Sequence, residues 1–219
     1  YEQLSYVREL YANEDLLLKN IRNECLLDNR AITINSEEGK FLQFLIKACK
    51  VNTIVEVGML YGYSTIWMAR ALSENGKIYT IDKEEYNTKI ATKNFDKLEN
   101  NLGNKIEILL GDAEKKLEYL ISKNIQCDMI FIDAEKGKYP FLLKEALRMI
   151  NKNGTIFADN ILYKGYVMSD YNKHKQRTAV RNLREYLAEV CNSDFFETEI
   201  LEVGDGLAIT KVIKNENNH

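Results

Sequence analysis

The sequence predicts an α/β protein with a doubly wound, mostly parallel seven-stranded sheet, helices on both faces and a C-terminal antiparallel hairpin. Three observations predict it. Short apolar, β-rich runs alternate with helical segments through the middle of the 219-residue chain, which calls for parallel pairing through crossover helices. Those runs are near-continuously apolar, as strands buried on both faces are. The last two runs instead flank Gly204-Asp205-Gly206, the spacing of an antiparallel hairpin.

The elements follow in order. A helical pattern covers about Leu4 to Leu27, with Leu10, Leu17, Leu18 and Ile21 on one side. A second helix, capped by Asn35 or Ser36, covers about Glu37 to Lys50, where Phe41, Leu45, Ala48 and Cys49 recur at helical spacing. TIVEV (53–57), KIYTI (77–81), KIEILL (105–110), DMIFI (128–132) and TIFA (155–158) read as strands. Helical segments fall at about 64–73, 85–101, 113–123, 138–151 and 175–192. FETEILEV and LAITKVI complete the hairpin. No repeat, low-complexity linker or composition break divides the chain, so a single domain is expected. It comprises N-terminal helices at 1–50, a Rossmann-like core at 51–213 and a polar tail at 214–219.

Composition narrows the function classes. With 45% hydrophobic and 29% charged residues the chain reads as an ordinary globular protein. A net charge of −3 gives no general attraction to nucleic acid or anionic membranes. No apolar run approaches the roughly 18 residues needed to span a bilayer, and no secretory pattern opens the sequence, so a cytoplasmic protein without a membrane partner is expected. The chain begins at Tyr1 rather than Met, which leaves room for a short preceding segment. Cys25, Cys49, Cys127 and Cys191 are widely spaced in apolar contexts and read as reduced thiols. His174 and His219 are the only histidines, too few to build a Ser-His-Asp or His-metal mechanism.

TIVEVGMLYGYSTIWMA is strand, turn, helix, with Gly58 and Gly62 bracketing the turn and Ser64 or Thr65 starting the helix. Glycine admits close backbone approach by a ligand, but the spacing is GxxxG rather than the GxGxxG of a dinucleotide site. Glu56, at the carboxyl end of the first strand, suits a cationic ligand. Asp82 ends the second strand, 20 residues after Gly62, where a carboxylate can grip a ribose diol. Gly111-Asp112-Ala113 ends the third strand and can place a polar group beside an adenine. One acidic strand end is more often a turn or cap former; three in succession beside this turn favour a ligand. S-adenosyl-L-methionine, a nucleoside with a sulfonium, fits better than a dinucleotide.

FIDAEKGKY ends the fourth strand with Asp133, and TIFADN ends the fifth with Asp159 and Asn160. Successive strand ends of a doubly wound sheet converge, so these three residues would offer hard oxygens suited to Mg²⁺ or Mn²⁺. Taken alone, Asp159-Asn160 reads equally well as a turn.

At these residues the chain resembles a known family. VEVGMLYGYS, GDA, IFIDAEKGKY, FADNILYKGYV and VGDGLAI, in this order from about Ile32 to Val212, are similar to the catechol and caffeoyl-CoA type of metal-dependent O-methyltransferase in its bacterial branch. The resemblance implies a divalent cation (Mg²⁺, Mn²⁺ or Ca²⁺) on Asp133, Asp159 and Asn160, with Lys136 as general base. It also implies that Ile34, Glu56, Gly58, Gly62, Ser64, Asp82, Asp112, Ala113 and Asp133 line the methyl donor. A homodimer through the N-terminal helices is implied as well. Met59-Leu60-Tyr61 and Tyr163 depart from the usual pattern and would reshape the pocket mouth. Glu135 and Lys138 read as surface charges; Tyr139 reads either as packing under the donor or as an ordinary helix aromatic.

A small catechol-like hydroxyl compound is the acceptor that the resemblance implies. KGYVMSDYNKHKQRTAVRNLREY (164–186) is also similar to the matching segment of bacterial enzymes that methylate 5-hydroxyuridine in tRNA. Its Lys173, Lys175, Arg177, Arg181 and Arg184 could hold phosphates, or form a solvated helix face. Tyr166, Val167, Met168 and Tyr171 would lie on the acceptor side. A protein carboxylate is a third acceptor. Outside methyl transfer, an NAD-dependent oxidoreductase remains, against which the glycine spacing argues, and a catalytically silent Rossmann-like binding or scaffold protein, against which the presence of Asp133, Lys136, Asp159 and Asn160 argues.

Overall fold

The computed structural model describes residues 2–28, 33–169 and 176–213. Backbone packing divides the chain into two compact units, Tyr1–Asn52 with Met59–Gly111 and Thr53–Gly58 with Asp112–His219.

The first unit opens with α1 (Glu2–Tyr11), α2 (Leu16–Leu27) and α3 (Ser36–Ala48). The single helix expected over 4–27 is two, because the Asp15 side chain accepts from the Leu18 amide at 3.0 Å and restarts the helix. An N-cap acid satisfies one of the amides that a helix start leaves without a partner. The expected Asn35 cap forms a reciprocal box: Glu38 N–H donates to Asn35 Oδ1 at 2.9 Å and Asn35 N–H to Glu38 Oε2 at 2.7 Å. After α4 (Tyr63–Ala69), β2 (Lys77–Asp82) and β3 (Ile106–Leu110) pair in parallel, with Asp82 opposite Leu110. Between them α5 (Glu85–Phe95) stops short of the expected 101, and Asn100 and Asn101 sit in the left-handed region with φ of 56° and 57°.

The second unit holds β1 (Thr53–Val57), β4 (Cys127–Ile132), β5 (Ile150–Asp159), β6 (Phe196–Leu201) and β7 (Leu207–Val212) in the order β1-β4-β5-β7-β6. β7 runs antiparallel to both β5 and β6, so the C-terminal hairpin is present as expected. β5 begins at Ile150 rather than near 155, directly after α7 (Tyr139–Met149). Four consecutive residues of β4, Met129 to Ile132, are no more than 1% exposed, so both faces of this strand are covered. Each such apolar side chain contributes about 1.5–3 kcal/mol on burial. α7 packs on β4 and β5, while α6 (Ala113–Ser122) and α8 (Arg177–Val190) pack against α7. Lys175, the expected start of α8, lies outside the described residues.

Seven mostly parallel strands with helices between them make the chain a Rossmann-like α/β protein.

Candidate active site

The parallel register of β4 and β5 pairs Ile132 with Ala158. Each strand then ends on its acid, Asp133 after β4 and Asp159 at the last position of β5. The Asp133 amide donates to the Val57 carbonyl at 2.9 Å, which fixes this tip against β1. Asp159 is 1% exposed. Lys136 lies between the two tips. Its Nζ lies 3.3 Å from Asp133 Oδ1, 3.2 Å from the Asp159 carbonyl oxygen and 2.6 Å from the Tyr139 hydroxyl oxygen. An ammonium has three N–H donors, and each has an acceptor here.

Tyr139 is fully buried, and its hydroxyl donates to the Asp159 carbonyl at 2.6 Å. Desolvation, and after it the charges of Asp133 and Asp159, raise its pKa well above the ordinary phenol range, so it stays a neutral donor. Sequence reading left Tyr139 undecided; the i, i+3 spacing from Lys136 was the available signal. Asn160 takes a left-handed φ of 57°. Its backbone amide donates to Asp159 Oδ1 at 2.7 Å, and its Nδ2 donates to Asp159 Oδ2. Asp159-Asn160 is therefore a turn as well as a cluster of oxygens.

The donor set can be tested against a cation. Among the described residues no three His, Cys, Asp or Glu side chains gather as a cation cage. The set here is two carboxylates and an amide, whose Nδ2 is engaged by Asp159 and whose Oδ1 is its acceptor end. Such a set fits Mg²⁺ or Mn²⁺, which keep water or substrate oxygens in their shells.

Lys136 sits in a short 3₁₀ turn, Lys136–Lys138, and Pro140 in the first turn of α7 has a φ preset for the helix that follows. Asn182 of α8 donates to the Gly137 carbonyl and braces this turn from outside. Glu135 is exposed, as expected. Lys138 is not a bare surface charge: it pairs with Asp112 at 3.1 Å and Glu114 at 3.4 Å. Its ammonium holds the Asp112 carboxyl below its ordinary range. Asp112 also caps α6 through the Glu114 amide at 2.9 Å, with Ala113 beginning the helix.

The remaining predicted residues fall in their own units. In the second, Glu56 of β1 is wholly buried opposite Phe131 of β4. Gly58 has φ 102°, and a Cβ there would lie 1.9 Å from the Asp133 carbonyl oxygen. Its glycine thus makes room for the Asp133 main chain, a demand that sequence reading assigned to the ligand. In the first unit, Asp82 accepts from the Leu60 amide at 2.9 Å and the Glu84 amide at 2.8 Å, so its carboxylate ties the glycine turn to the tip of β2. Gly62, φ 85°, leaves the space into which the Phe95 ring packs. Ser64 lies buried in the first turn of α4, and Ile34 is buried just before the α3 cap. Met59 and Tyr61, expected at a pocket mouth, are 1% and 2% exposed; Tyr61 donates from its hydroxyl to Asp28 at 2.8 Å. They are core residues because each finds an apolar bed and the one hydroxyl finds an acceptor.

A cavity of about 720 Å³ in the first unit is lined by α1, α2 and the start of α3 and includes none of the predicted site residues. Arg8–Glu37 and Arg22–Glu14, ion pairs of 2.8 and 2.9 Å, neutralise one another in its wall.

In the second unit, acidic strand tips thus gather around one half-buried lysine. The chain belongs to the O-methyltransferase family, which it matches over residues 8–213. It is 34% identical to the catechol O-methyltransferase of Niastella koreensis, over 94% of this chain and 95% of that protein. It is 31% identical to caffeoyl-CoA O-methyltransferase 2 of Petunia hybrida, over 83% and 77% of the two chains. The crystal structure of the Bacillus cereus O-methyltransferase in complex with SAH superposes with a TM-score of 0.85 at 28% identity, over 95% of this chain and 96% of that one. The chain is thus an S-adenosylmethionine-dependent O-methyltransferase of the catechol/caffeoyl-CoA type. The oxidoreductase alternative falls. No helix among the described residues is long and apolar enough to cross a membrane.

Proposed function

We propose that this enzyme methylates a hydroxyl of a small catechol-like acceptor, with Lys136 as general base and Asp133, Asp159 and Asn160 as the ligands of a divalent cation. The observation that carries the reading is the single Lys136 amino group in reach of both the Asp133 carboxylate and the Asp159 main chain, 3.3 and 3.2 Å away.

When bound, Mg²⁺ or Mn²⁺ (Ca²⁺ shares the preference for oxygen) would supply positive charge that favours an ionised acceptor hydroxyl. Lys136 takes the acceptor's proton at Nζ. The three acceptors around Nζ are those of an ammonium, so they stabilise the lysine once it has the proton. Tyr139, fixed to the Asp159 carbonyl, sets where Nζ sits. The acceptor oxygen then forms its bond to the methyl carbon while the carbon–sulfur bond breaks. S-adenosylhomocysteine leaves with a neutral sulfur, and Lys136 returns its proton to water. In the second unit, donor recognition is assigned to Glu56, Gly58, Asp112, Ala113 and Asp133.

The engagement of Arg184 supports a small acceptor over tRNA. Lys173, Lys175 and Tyr171 lie outside the described residues, and the Arg184 guanidinium is taken by the Val167 and Ser169 carbonyls, 2.9 Å from each. Arg177 and Arg181 remain exposed. We further propose a cytoplasmic homodimer through the N-terminal helices, on which Leu10, Leu16 and Leu27 are exposed.

The test is labelled S-adenosylmethionine with Mg²⁺ and three acceptor pools: catechols, undermodified tRNA and protein extract. Label should enter the catechols, and both EDTA and Lys136→Ala should suppress it. Transfer indifferent to chelation would remove the cation from the account. Label confined to the tRNA or protein pool would replace the acceptor.

A further inference from the structure

The Gly204-Asp205-Gly206 turn has no part in the chemistry above, yet it holds the segment that follows Asn160. The Ile161 amide donates to the Gly206 carbonyl at 3.0 Å and the Leu162 amide to the Asp205 carbonyl at 2.9 Å. The Asp205 carboxylate then accepts the Lys164 amide on both oxygens, at 2.8 and 2.9 Å. Here the backbone is strained: Tyr163, Lys164 and Gly165 have φ of 47°, 55° and 79° in succession. Non-glycine residues pay for that conformation and keep it only where their surroundings enforce it. At the far end of the segment Arg184 of α8 binds the Val167 carbonyl through Nε and the Ser169 carbonyl through Nη2. The same helix reaches the Lys136 turn through Asn182. Between the two clamps Tyr163 and Tyr166 pack edge to face with centroids 5.4 Å apart, both half-buried, and Met168 is exposed.

We infer that Asp205 and Arg184 are positioning residues that lock segment 161–169 from both ends, and so decide how an acceptor lies against Asn160 and Lys136. The inference rests on the catechol reading and names what orients the acceptor there. Its consequence is regiochemical. An acceptor with two neighbouring hydroxyls can present either one to Lys136, and a rigid wall beside the site selects between them. Asp205 suits the task because a carboxylate can accept one amide on two oxygens, which an amide side chain cannot do. Arg184 suits it because a guanidinium spans two carbonyls in a fixed fork, which a lysine cannot.

The test uses 3,4-dihydroxybenzoate as acceptor and the full-length enzyme. Asp205→Ala should raise the acceptor KM by roughly tenfold, leave kcat within about twofold, and move the ratio of the two monomethyl products toward equality. Asp205→Asn, which keeps one acceptor oxygen, should fall between it and the wild type. Arg184→Lys should resemble Arg184→Ala rather than the wild type. S-adenosylhomocysteine affinity should be unchanged in all four variants, while hydrogen exchange at the Lys164 amide accelerates by about tenfold or more in the Asp205 variants. A product ratio and acceptor KM equal to those of the wild type overturn the inference, whatever the exchange rate. A matching fall in S-adenosylhomocysteine affinity also overturns it, since the effect would then be a general loss of fold. If the wild-type enzyme methylates no catechol, the functional reading fails, and exchange at Lys164 alone decides whether the clamp exists.

Discussion

Two strand tips of this molecule carry the same sequence signature, an aspartate directly after an apolar run, and use it differently. Asp82 at the end of β2 accepts from the Leu60 and Glu84 amides. Asp133 at the end of β4 instead faces an ammonium, Lys136 Nζ, at 3.3 Å. The first carboxylate shapes a backbone turn; the second takes part in a polar cluster with Asp159 and Tyr139. An acid at a strand end therefore does not announce chemistry by itself. What distinguishes the two tips is a cation delivered three residues later by a tight turn, and a second acid brought in by the register of the neighbouring strand.

The difference can be broken experimentally, most drastically at Lys136. Lys136→Arg keeps the positive charge but cannot lose its proton at working pH. Steady-state methyl transfer should fall by about 10²–10⁴-fold, the usual contribution of a general base, while S-adenosylmethionine binding measured by calorimetry is retained. Retained turnover would show that the lysine serves by charge alone.

Gly58→Ala attacks the scaffold of the same tip. The new Cβ would lie 1.9 Å from the Asp133 carbonyl oxygen, on a backbone with φ 102°. A loss of more than about 3 kcal/mol in denaturant unfolding is expected, in the range of severe single substitutions.

At the other tip, Asp82→Ala leaves the Leu60 and Glu84 amides without their acceptor. The expected cost is about 1–3 kcal/mol of stability. Asp159→Asn should instead keep the fold and lose activity, which is the contrast between the tips in its sharpest form.

The smallest effect belongs to Lys138→Met. Lys138 holds the Asp112 carboxyl below its ordinary range. The stabilising pair is thus present above the unfolded carboxylate value, near about 3.9, and is lost as pH falls through the lowered folded value. Removing the lysine should let Asp112 titrate at higher pH in a carbon-detected NMR titration. Because both side chains are partly exposed to screening solvent, little change in unfolding temperature should accompany it.

Much of the fold was legible because its signals are local. Apolar runs named the strands, Gly204-Asp205-Gly206 named the hairpin, and Asn35 named a cap that is present with its Glu38 partner. Asp133, Asp159 and Asn160 were legible as neighbours because strand ends in a doubly wound sheet converge, whereas Lys136 beside them came only from the family resemblance. What escaped was long-range or depended on a hydrogen bond. The break before α2 turns on one side-chain bond from Asp15 to the Leu18 amide. The β5 start at Ile150 turns on pairing with Cys127, where a register shift follows. The need for glycine at 58 lies in the main chain of a residue 75 positions later, Asp133. Arg184 read as one of several basic residues on a helix face; nothing within its own segment foretells that its fork closes on two carbonyls.

The central claim is that the tips of β4 and β5 form a seat for one divalent cation beside Lys136. Mn²⁺ binding followed by electron paramagnetic resonance tests it without reference to any acceptor. The expected result is one Mn²⁺ site per chain, weakened by at least about tenfold in both Asp133→Asn and Asp159→Asn and untouched by Asp82→Asn. Equal Mn²⁺ binding by the wild type and the two tip variants would contradict the claim.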